Sequence, residues 1–456
     1  MRGSSAPAAA NLPSLPDALH YRGSCDSPCS CEILMKAHIL TSILCLSLVT
    51  CSAAAANWPQ WRGPTANGSV DDPAAPATLN PDENLLWKLP LPGLGSSTPI
   101  VWNEHIMLTC DIDGRDTVVC YDFNRKEIWR HRFGKSVQAR YKTASSCNPS
   151  PITDGTCIYV YFKSGKVAAL TLTGTLKWEV NLQKRYGEDT LGWDLGTSPV
   201  LADGKLVIAV LQNGGGSYLA SLDCETGKEV YKIARTFDSV EESYDAYTTP
   251  IVMDVNGRET IICWAADHLS GNAADTGELL WHAGSYNPRG KHNWRVIASP
   301  VIADSVAIIP FARGRSLAGT RLGETTDPGT GGGLWQKDSI GSDVASPTSR
   351  GGLVYLLGDR GQVSCLEAAS GKVHWQSQLP IERIRFFSSP VLAGDKLYCA
   401  ATDGTLFCGT VTKDGLKDIT TGRIPGSIAA SPVVVDGRVL IRNHTTLFCF
   451  GDKPGQ

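Results

Sequence analysis

Five short segments of this sequence combine aromatic and charged side chains in a way that suits ligand or partner binding. Tryptophan, tyrosine and arginine are the residue types that dominate binding energy at protein interfaces. The segments contain Arg140, Tyr141 and Lys142; Tyr186, Trp193 and Asp194; Glu241, Glu242, Tyr244, Asp245 and Tyr247; Arg289, Lys291, His292, Trp294 and Arg295; and Glu382, Arg383, Arg385, Phe386 and Phe387. The candidate binding residues are Arg140, Tyr141, Lys142, Trp193, Asp194, Tyr244, Asp245, Arg289, His292, Trp294, Arg295, Arg383 and Arg385. The alternative is a solvated rim whose neighbouring loops form salt bridges with one another.

Catalytic and metal-binding motifs are missing from the sequence. The patterns G-x-x-x-x-G-K-[ST], H-E-x-x-H and G-x-S-x-G do not occur, and the seven histidines after Ala56 lack metal-ligand spacing. The run from Asp111 to Asp116 resembles the start of a calcium loop but lacks the distal glutamate, so a turn explains it better. We therefore predict no catalytic residue and no metal, while a triad assembled from distant segments stays open.

Composition and charge exclude several classes of protein. The chain has 456 residues with 45 acidic and 42 basic side chains, a net charge of −3. This near balance gives no electrostatic reason to expect nucleic acid or an anionic membrane surface as partner. A hydrophobic fraction of 42% is ordinary for a soluble globular protein.

The N-terminal region reads as an export signal. Residues 1–34 are predicted to be a misassigned or disordered start, and residues 35–56 a signal peptide with an apolar run from Ile39 to Val49. That run is too short for a bilayer and suits cleavage after Ala56. The alternatives are a genuine start at Met1 followed by a disordered tail, or a lipoprotein modified at Cys51. No other stretch is long enough to span a membrane, so we expect an exported protein of the periplasm or cell surface.

Ten of the fifteen cysteines follow Ala56, and an oxidising compartment would permit disulfides. Cys399 and Cys408 flank Asp403 and Gly404 symmetrically, which would set them opposite one another in a hairpin and permit a disulfide. We favour the alternative that the cysteines act as small buried apolar residues, because Cys120, Cys365, Cys408 and Cys449 occupy the same position of the repeat.

A repeat of about 40 to 50 residues fills the chain after residue 85. Each unit opens with Ser or Thr followed by Pro, at Pro99, Pro151, Pro199, Pro250, Pro300, Pro347, Pro390 and Pro432. Each unit then contains four short predicted strands, the last ending in an aromatic residue: Trp87, Trp129, Trp178, Tyr231, Trp281, Trp335 and Trp375. We expect these aromatic residues to pack between repeats, because they recur in seven of the eight units while a ligand site requires residues that differ.

This pattern predicts an all-β fold, an eight-bladed β-propeller of four-stranded antiparallel blades. The last unit supplies only three strands, and the missing fourth is predicted at residues 85–89, so an N-terminal strand completes the last blade. An open solenoid or two sandwiches would not explain this complementary split. The expected organisation is an N-terminal extension at 57–84, the propeller at 85–450 and a tail at 451–456. The five binding segments then join outer to inner strands on one face, around the central channel.

Several segments resemble the pyrroloquinoline-quinone-like (PQQ-like) propeller repeat. They are Cys365 to Trp375, Leu222 to Lys228, and Ala274 to Trp281. The opening Trp58-Pro59-Gln60-Trp61-Arg62-Gly63-Pro64 is similar to the mature start of exported PQQ-like proteins of planctomycete type. The superfamily includes the quinoprotein alcohol dehydrogenases and the non-catalytic, BamB-like assembly lipoproteins.

The resemblance implies the fold and leaves two functions open. The dehydrogenases carry adjacent cysteines over their cofactor, and this sequence has no Cys-Cys pair. We therefore expect a non-catalytic, monomeric scaffold without cofactor, which binds a protein, peptide or cell-envelope component through the loop face. The alternative is an enzyme, either a PQQ- and calcium-dependent quinoprotein oxidoreductase or a polysaccharide-active enzyme that uses the channel mouth.

Overall fold

The computed structural model describes residues 56–213, 216–326, 333–381 and 384–453. The expected start region 1–34 and the expected signal peptide up to residue 55 lie outside the described residues, as does Arg383. Three short helices occur in the described chain: α1 Pro81–Asn84, α2 Leu182–Tyr186 and α3 Glu241–Tyr244. No helix among these residues is long and apolar enough to cross a membrane.

Eight sheets form the blades, and two strands precede the first, β1 Ser69–Val70 and β2 Leu85–Pro90. Blades 1 and 2 contain β3 Ile100–Trp102, β4 His105–Ile112, β5 Arg115–Asp122, β6 Glu127–Lys135, β7 Ile152–Thr153, β8 Cys157–Tyr161, β9 Lys166–Thr171 and β10 Leu176–Asn181. Blades 3 and 4 contain β11 Val200–Ala202, β12 Lys205–Val210, β13 Tyr218–Asp223, β14 Glu229–Ala234, β15 Ile251–Val255, β16 Arg258–Ala265, β17 His268–Ala273 and β18 Leu279–Ala283.

Blades 5 and 6 contain β19 Val301–Ala303, β20 Val306–Phe311, β21 Ser316–Arg321, β22 Trp335–Asp338, β23 Thr348–Arg350, β24 Leu353–Leu357, β25 Gln362–Glu367 and β26 Val373–Gln378. Blade 7 contains β27 Val391–Ala393, β28 Lys396–Ala400, β29 Thr405–Thr412 and β30 Gly415–Arg423. Blade 8 begins with β31 Val433–Val435, β32 Arg438–Arg442 and β33 Thr446–Gly451. In most blades the middle strands are buried between neighbouring blades, whereas outer strands such as β6 alternate between more and less exposed residues.

The last blade is completed by the N-terminal strand. β2 pairs antiparallel with β33, with Leu85 opposite Phe450 and Pro90 opposite Thr446. The predicted eight-bladed propeller and its closure are therefore confirmed. Joining the first and last strands of the propeller in one sheet removes the free edges that an open array of blades would expose.

The residue before each blade-opening proline forms a closed ring of hydrogen bonds around the channel. Its backbone N–H donates to the side-chain hydroxyl of the equivalent residue in the next blade, over 2.9–3.2 Å. The ring runs through Thr98, Ser150, Ser198, Thr249, Ser299, Ser346, Ser389 and Ser431, whose N–H returns to Thr98. All eight residues are buried.

The aromatic residues of the outer strands attach each blade to the next. Trp129 donates its indole N–H to the Leu172 carbonyl over 2.9 Å, and Trp178 donates to Cys224 over 2.8 Å. Tyr231, Trp335 and Trp375 make equivalent bonds to Ala274, Ala368 and Thr412, and Trp87 packs edge-on against Phe123. Trp281 lies instead against Gly271 of its own blade.

A glycine in the turn before the outer strand of the next blade lets the aromatic side chain approach closely. Gly174 has φ +82°, and a Cβ there would lie 2.4 Å from the Trp129 ring. The turn therefore requires glycine both for its backbone conformation and for the contact with the neighbouring blade.

The N-terminal extension lies along the face opposite the binding loops and enters the channel. Trp58 forms a bridge with Val101, and β1 pairs in parallel with β27. Between them, the buried Arg62 guanidinium donates to the carbonyl oxygens of Pro347 and Pro390, over 2.6 and 3.2 Å. Burial lowers the pKa of Arg62 to about 9.

The disulfide that the spacing would permit between Cys399 and Cys408 is absent from the structure. In the hairpin of β28 and β29, Cys399 lies opposite Phe407 and Cys408 lies opposite Tyr398. The register is thus one residue away from the symmetrical pairing, and the two thiols point to opposite faces of the blade. Both are free and buried.

Breaking the ring of hydrogen bonds from Thr98 to Ser431, which we call the hydroxyl ring, should destabilise the protein. Ser389→Ala leaves the buried N–H of Ser346 without its acceptor, so we expect the free energy of unfolding to fall by about 1–3 kcal/mol. Urea unfolding followed by tryptophan fluorescence measures the change. Ser388→Ala is the matched control, because the adjacent hydroxyl is also buried and has no hydrogen-bond partner among the described residues. Equal losses in the two variants would contradict a special role for the ring.

Candidate functional site

A cavity of about 1270 Å³ opens on the face that carries the loops between blades. Six of the eight ring residues line its base, together with Trp61 of the N-terminal extension. Trp61 also borders a second, much smaller cavity of about 20 Å³, as does Ser346. The N-terminal extension therefore supplies part of the floor of the main cavity.

Asp194 joins the loop before blade 2 to the loop before blade 3. Its carboxylate accepts hydrogen bonds from the backbone N–H groups of Arg140 and Tyr141, over 3.0 and 3.1 Å. It also forms an ion pair with Lys163, whose ammonium group donates to the Gln138 carbonyl over 2.8 Å. Because both charged side chains are buried, the pair is poorly screened by solvent and holds the two loops in one arrangement.

This arrangement places two aromatic rings at the cavity. Tyr141 and Trp193 stack with ring centroids 4.2 Å apart and an interplanar angle of 28°. Each remains 39% exposed, which is unusual for such large side chains and leaves surface available to a ligand. The Trp193 backbone is fixed further, because its N–H donates to the hydroxyl of Tyr247 over 2.9 Å.

Arg295 extends this cluster towards blades 5 and 6. Its guanidinium carbon lies 5.5 Å from the centroid of the Trp193 ring, within cation–π range. The same guanidinium forms a two-point ion pair with Asp343, and that hydrogen bonding raises the pKa of Arg295. Asp343 in turn donates its backbone N–H to Asp359 over 2.9 Å. Desolvation by burial raises the pKa of the Asp359 carboxyl group.

Four further arginines line the side of the cavity formed by blades 5 and 6. Arg313 and Arg315 lie in the hairpin between β20 and β21, Arg360 in the hairpin between β24 and β25, and Arg385 in the loop before blade 7. Arg313 forms an ion pair with Glu242 over 3.5 Å, whereas Arg315, Arg360 and Arg385 are exposed. We call these three residues the arginine wall.

The structure brings together five of the candidate binding residues, and Tyr247, Phe386 and Phe387 of the same segments lie with them. Tyr141, Trp193, Asp194, Arg295 and Arg385 line the cavity. The other candidates in the described chain do not line it: Arg140, Lys142, Tyr244, Asp245, Arg289, His292 and Trp294.

Several of these other residues have a structural role or face solvent. The Arg140 guanidinium donates to the Leu191 carbonyl, and Asp245 accepts the N–H groups of Gly192 and Asn213. Trp294 packs edge-on against Phe311. Lys142, Arg289 and His292 are exposed.

Sequence reasoning missed Arg313, Arg315, Arg360 and Trp61. The three arginines lie in hairpins between the second and third strands of a blade, which reach the same face as the loops between blades. The available signal was arginine in turns where other blades carry different residues, as in Ala312-Arg313-Gly314-Arg315. Nothing in the repeat predicts that Trp61 reaches the cavity, because the N-terminal extension is not periodic.

The buried ion pair of Asp194 should dominate the stability of these loops. Asp194→Asn leaves Lys163 buried without its counter-ion, so we expect unfolding to require about 3–5 kcal/mol less. Asp203→Asn, which breaks the more exposed pair with Lys205, is the control and should cost less than about 1 kcal/mol. Thermal and urea unfolding measure both. Equally small effects would show that the Lys163 pair does not hold the loops.

Comparison with solved structures finds the same architecture in proteins of low sequence identity. BamB from Moraxella catarrhalis matches with a TM-score of 0.57 and 16% identity, over 81% of this chain and 99% of that chain. The quinohemoprotein alcohol dehydrogenase from Comamonas testosteroni matches with a TM-score of 0.63 and 13% identity, over 88% and 82%. A europium-containing methanol dehydrogenase has the same TM-score with 11% identity, over 87% and 98%. At these identities the likeness shows the fold alone.

Sequence comparison gives the family. A search of curated proteins finds no match. The family described as outer membrane protein assembly factor BamB matches three overlapping stretches, residues 77–266, 163–324 and 320–444. These stretches include well over half of the sequence and all of the propeller except its last strand in the chain, β33. The chain therefore belongs to the BamB-like family of PQQ-like β-propellers.

Proposed function

We propose that this protein is an exported binding scaffold that holds part of a protein partner in the cavity between its loops. The observation that carries the proposal is the cavity, which at about 1270 Å³ exceeds the ~300–1,000 Å³ typical of small-molecule sites. Its walls contain tryptophan, tyrosine and arginine, the residue types that dominate binding at protein interfaces. The floor and the aromatic side are fixed by buried hydrogen bonds, so little conformational entropy is lost there on binding.

Two further observations support this proposal. The matched family is described as an assembly factor for outer membrane proteins, which favours a protein partner and a place in the cell envelope. All ten cysteines after Ala56 are buried and free, and because buried thiols are inert they are compatible with an oxidising compartment. The signal peptide at 35–56, the monomeric state and the narrower planctomycete type stay predictions.

The residues around the cavity are a poor match for a calcium–quinone centre. Calcium takes six to eight oxygen ligands, mostly from carboxylates and carbonyls. Of the three aspartates that line the cavity, Asp194 is paired with Lys163 and Asp343 with Arg295. The third, Asp359, has a raised pKa and shares its surroundings with Arg295 and Arg385. Among the described residues no group of three or more His, Cys, Asp or Glu side chains could hold a metal ion.

The donor set leads to a prediction for the quinone alternative. When PQQ is titrated calorimetrically into the folded protein, we expect the same binding curve with calcium as with a chelator, because the cavity carboxylates already neutralise lysine and arginine. Saturable one-to-one binding that appears only with calcium would overturn this expectation and favour the oxidoreductase.

The scaffold proposal predicts where a partner is captured. A photoreactive amino acid at Tyr141, in the cavity wall, should form a discrete adduct with an envelope protein in cells of the source organism. The matched control is Thr156, an exposed residue in the turn between β7 and β8 on the opposite face. Adducts formed from Thr156 and not from Tyr141 would show that the wrong face has been assigned.

A further inference from the structure

The charges that line the cavity are unevenly distributed. Among the described residues, five arginines and three aspartates contribute to its wall. Asp194, Asp343 and Arg313 each have an ion-pair partner: Lys163, Arg295 and Glu242. The remaining charged lining residues of the described chain are the arginine wall of Arg315, Arg360 and Arg385, and one carboxylate, Asp359. Within the described residues none of these three arginines has a carboxylate within 4.0 Å.

These three arginines differ from the paired ones in exposure. The Arg295 side chain is only 16% exposed and is committed to Asp343, whereas Arg315, Arg360 and Arg385 are exposed to the cavity mouth. A concave site with an excess of one charge concentrates the electrostatic potential and attracts ligands of opposite sign. Arginine also presents a planar pair of donors that matches a carboxylate group.

Apolar and aromatic surface lies beside this charge. Tyr141 and Trp193 form one side of the cavity, and Ile384 and Phe387 flank the Arg385 region on the other. The occupant must therefore combine negative charge with apolar or aromatic groups. Its size must also suit a cavity larger than small-molecule sites and closed at the base by Trp61 and the hydroxyl ring.

We propose that the cavity binds an acidic, aromatic-containing segment of a protein partner, with its carboxylates on Arg315, Arg360 and Arg385 and its aromatic groups against Tyr141 and Trp193. This inference rests on the proposed scaffold function and specifies the chemistry of the segment. A peptide fits better than a uniformly charged polymer, because Tyr141, Trp193 and Phe387 give the wall aromatic surface beside its charge. Acidic polysaccharide is the competing occupant that the experiment must separate.

The test uses two short fluorescein-labelled peptides that differ only in charge. One alternates glutamate with phenylalanine and serine, and the other has glutamine in place of glutamate. Fluorescence anisotropy with the purified full-length protein should show the acidic peptide binding at least about tenfold more tightly, with affinity falling as NaCl rises from about 0.05 to about 0.3 M.

Variants of the wall supply the site assignment. Arg360→Gln combined with Arg385→Gln should weaken binding of the acidic peptide by about tenfold, because two charge-assisted contacts are lost. Arg289→Gln is the matched control: it removes an exposed arginine from the same face, but outside the cavity lining, and should leave binding unchanged. Melting temperatures confirm that each variant is folded.

Three results would overturn the inference. If the two peptides bind equally, or if neither binds, the proposed preference for an acidic segment is rejected. Equal weakening by Arg289→Gln and by the wall variant would place the charge effect outside the cavity. If polygalacturonate displaces the acidic peptide and binds more tightly than it does, the site is assigned to acidic polysaccharide. An adduct at Tyr141 together with no preference for the acidic peptide would leave the scaffold function in place and reject only this ligand chemistry.

Discussion

The ring of eight hydrogen bonds before the blade-opening prolines is the constraint on which the rest of the structure depends. Proline restricts the preceding residue to extended backbone, so each serine or threonine presents its N–H and hydroxyl in the same way. The N–H then reaches one neighbouring blade while the hydroxyl accepts from the other. Since the bond from Ser431 returns to Thr98, the ring is complete only when eight blades are present and correctly spaced.

The junction between the last and first blades carries additional buried polar contacts. Arg442 of β32 donates to the Ser97 and Thr109 carbonyl oxygens, each over 2.8 Å, and both acceptors belong to blade 1 or the loop that leads into it. Burial removes water from the Arg442 guanidinium and lowers its pKa. The hydrogen bonds to the two carbonyl oxygens offset part of this loss of hydration. The circle is thus closed by three different means: the pairing of β2 with β33, the hydroxyl ring and the Arg442 contacts.

The fold could be predicted from the sequence because the same local pattern recurs in eight successive units. The Ser/Thr-Pro pairs, the turn glycines and the closing aromatics fixed the number of blades and the strand that completes the last. Single features were harder to predict. The symmetrical spacing of Cys399 and Cys408 does not place them opposite each other, because strand register depends on the turn, and one residue of slip reverses the face of a side chain. The entry of Trp61 and Arg62 into the channel depends on tertiary contacts of a segment without periodicity.

The residues of the candidate site differ from blade to blade, and they form two sides that differ in how firmly their side chains are held. Tyr141 and Trp193 are held by Asp194, Lys163 and Tyr247, so their positions are set before any partner arrives. Within the described residues the arginine wall has no comparable ion pair: Arg315 and Arg360 extend from short hairpins, and Arg385 extends from the loop before blade 7. In the proposed complex, the aromatic side would therefore contribute contact area at little entropic cost, while ordering the arginines would consume part of their electrostatic gain. Charge would then set which segments approach and how fast, and the aromatic pair would set how long they remain.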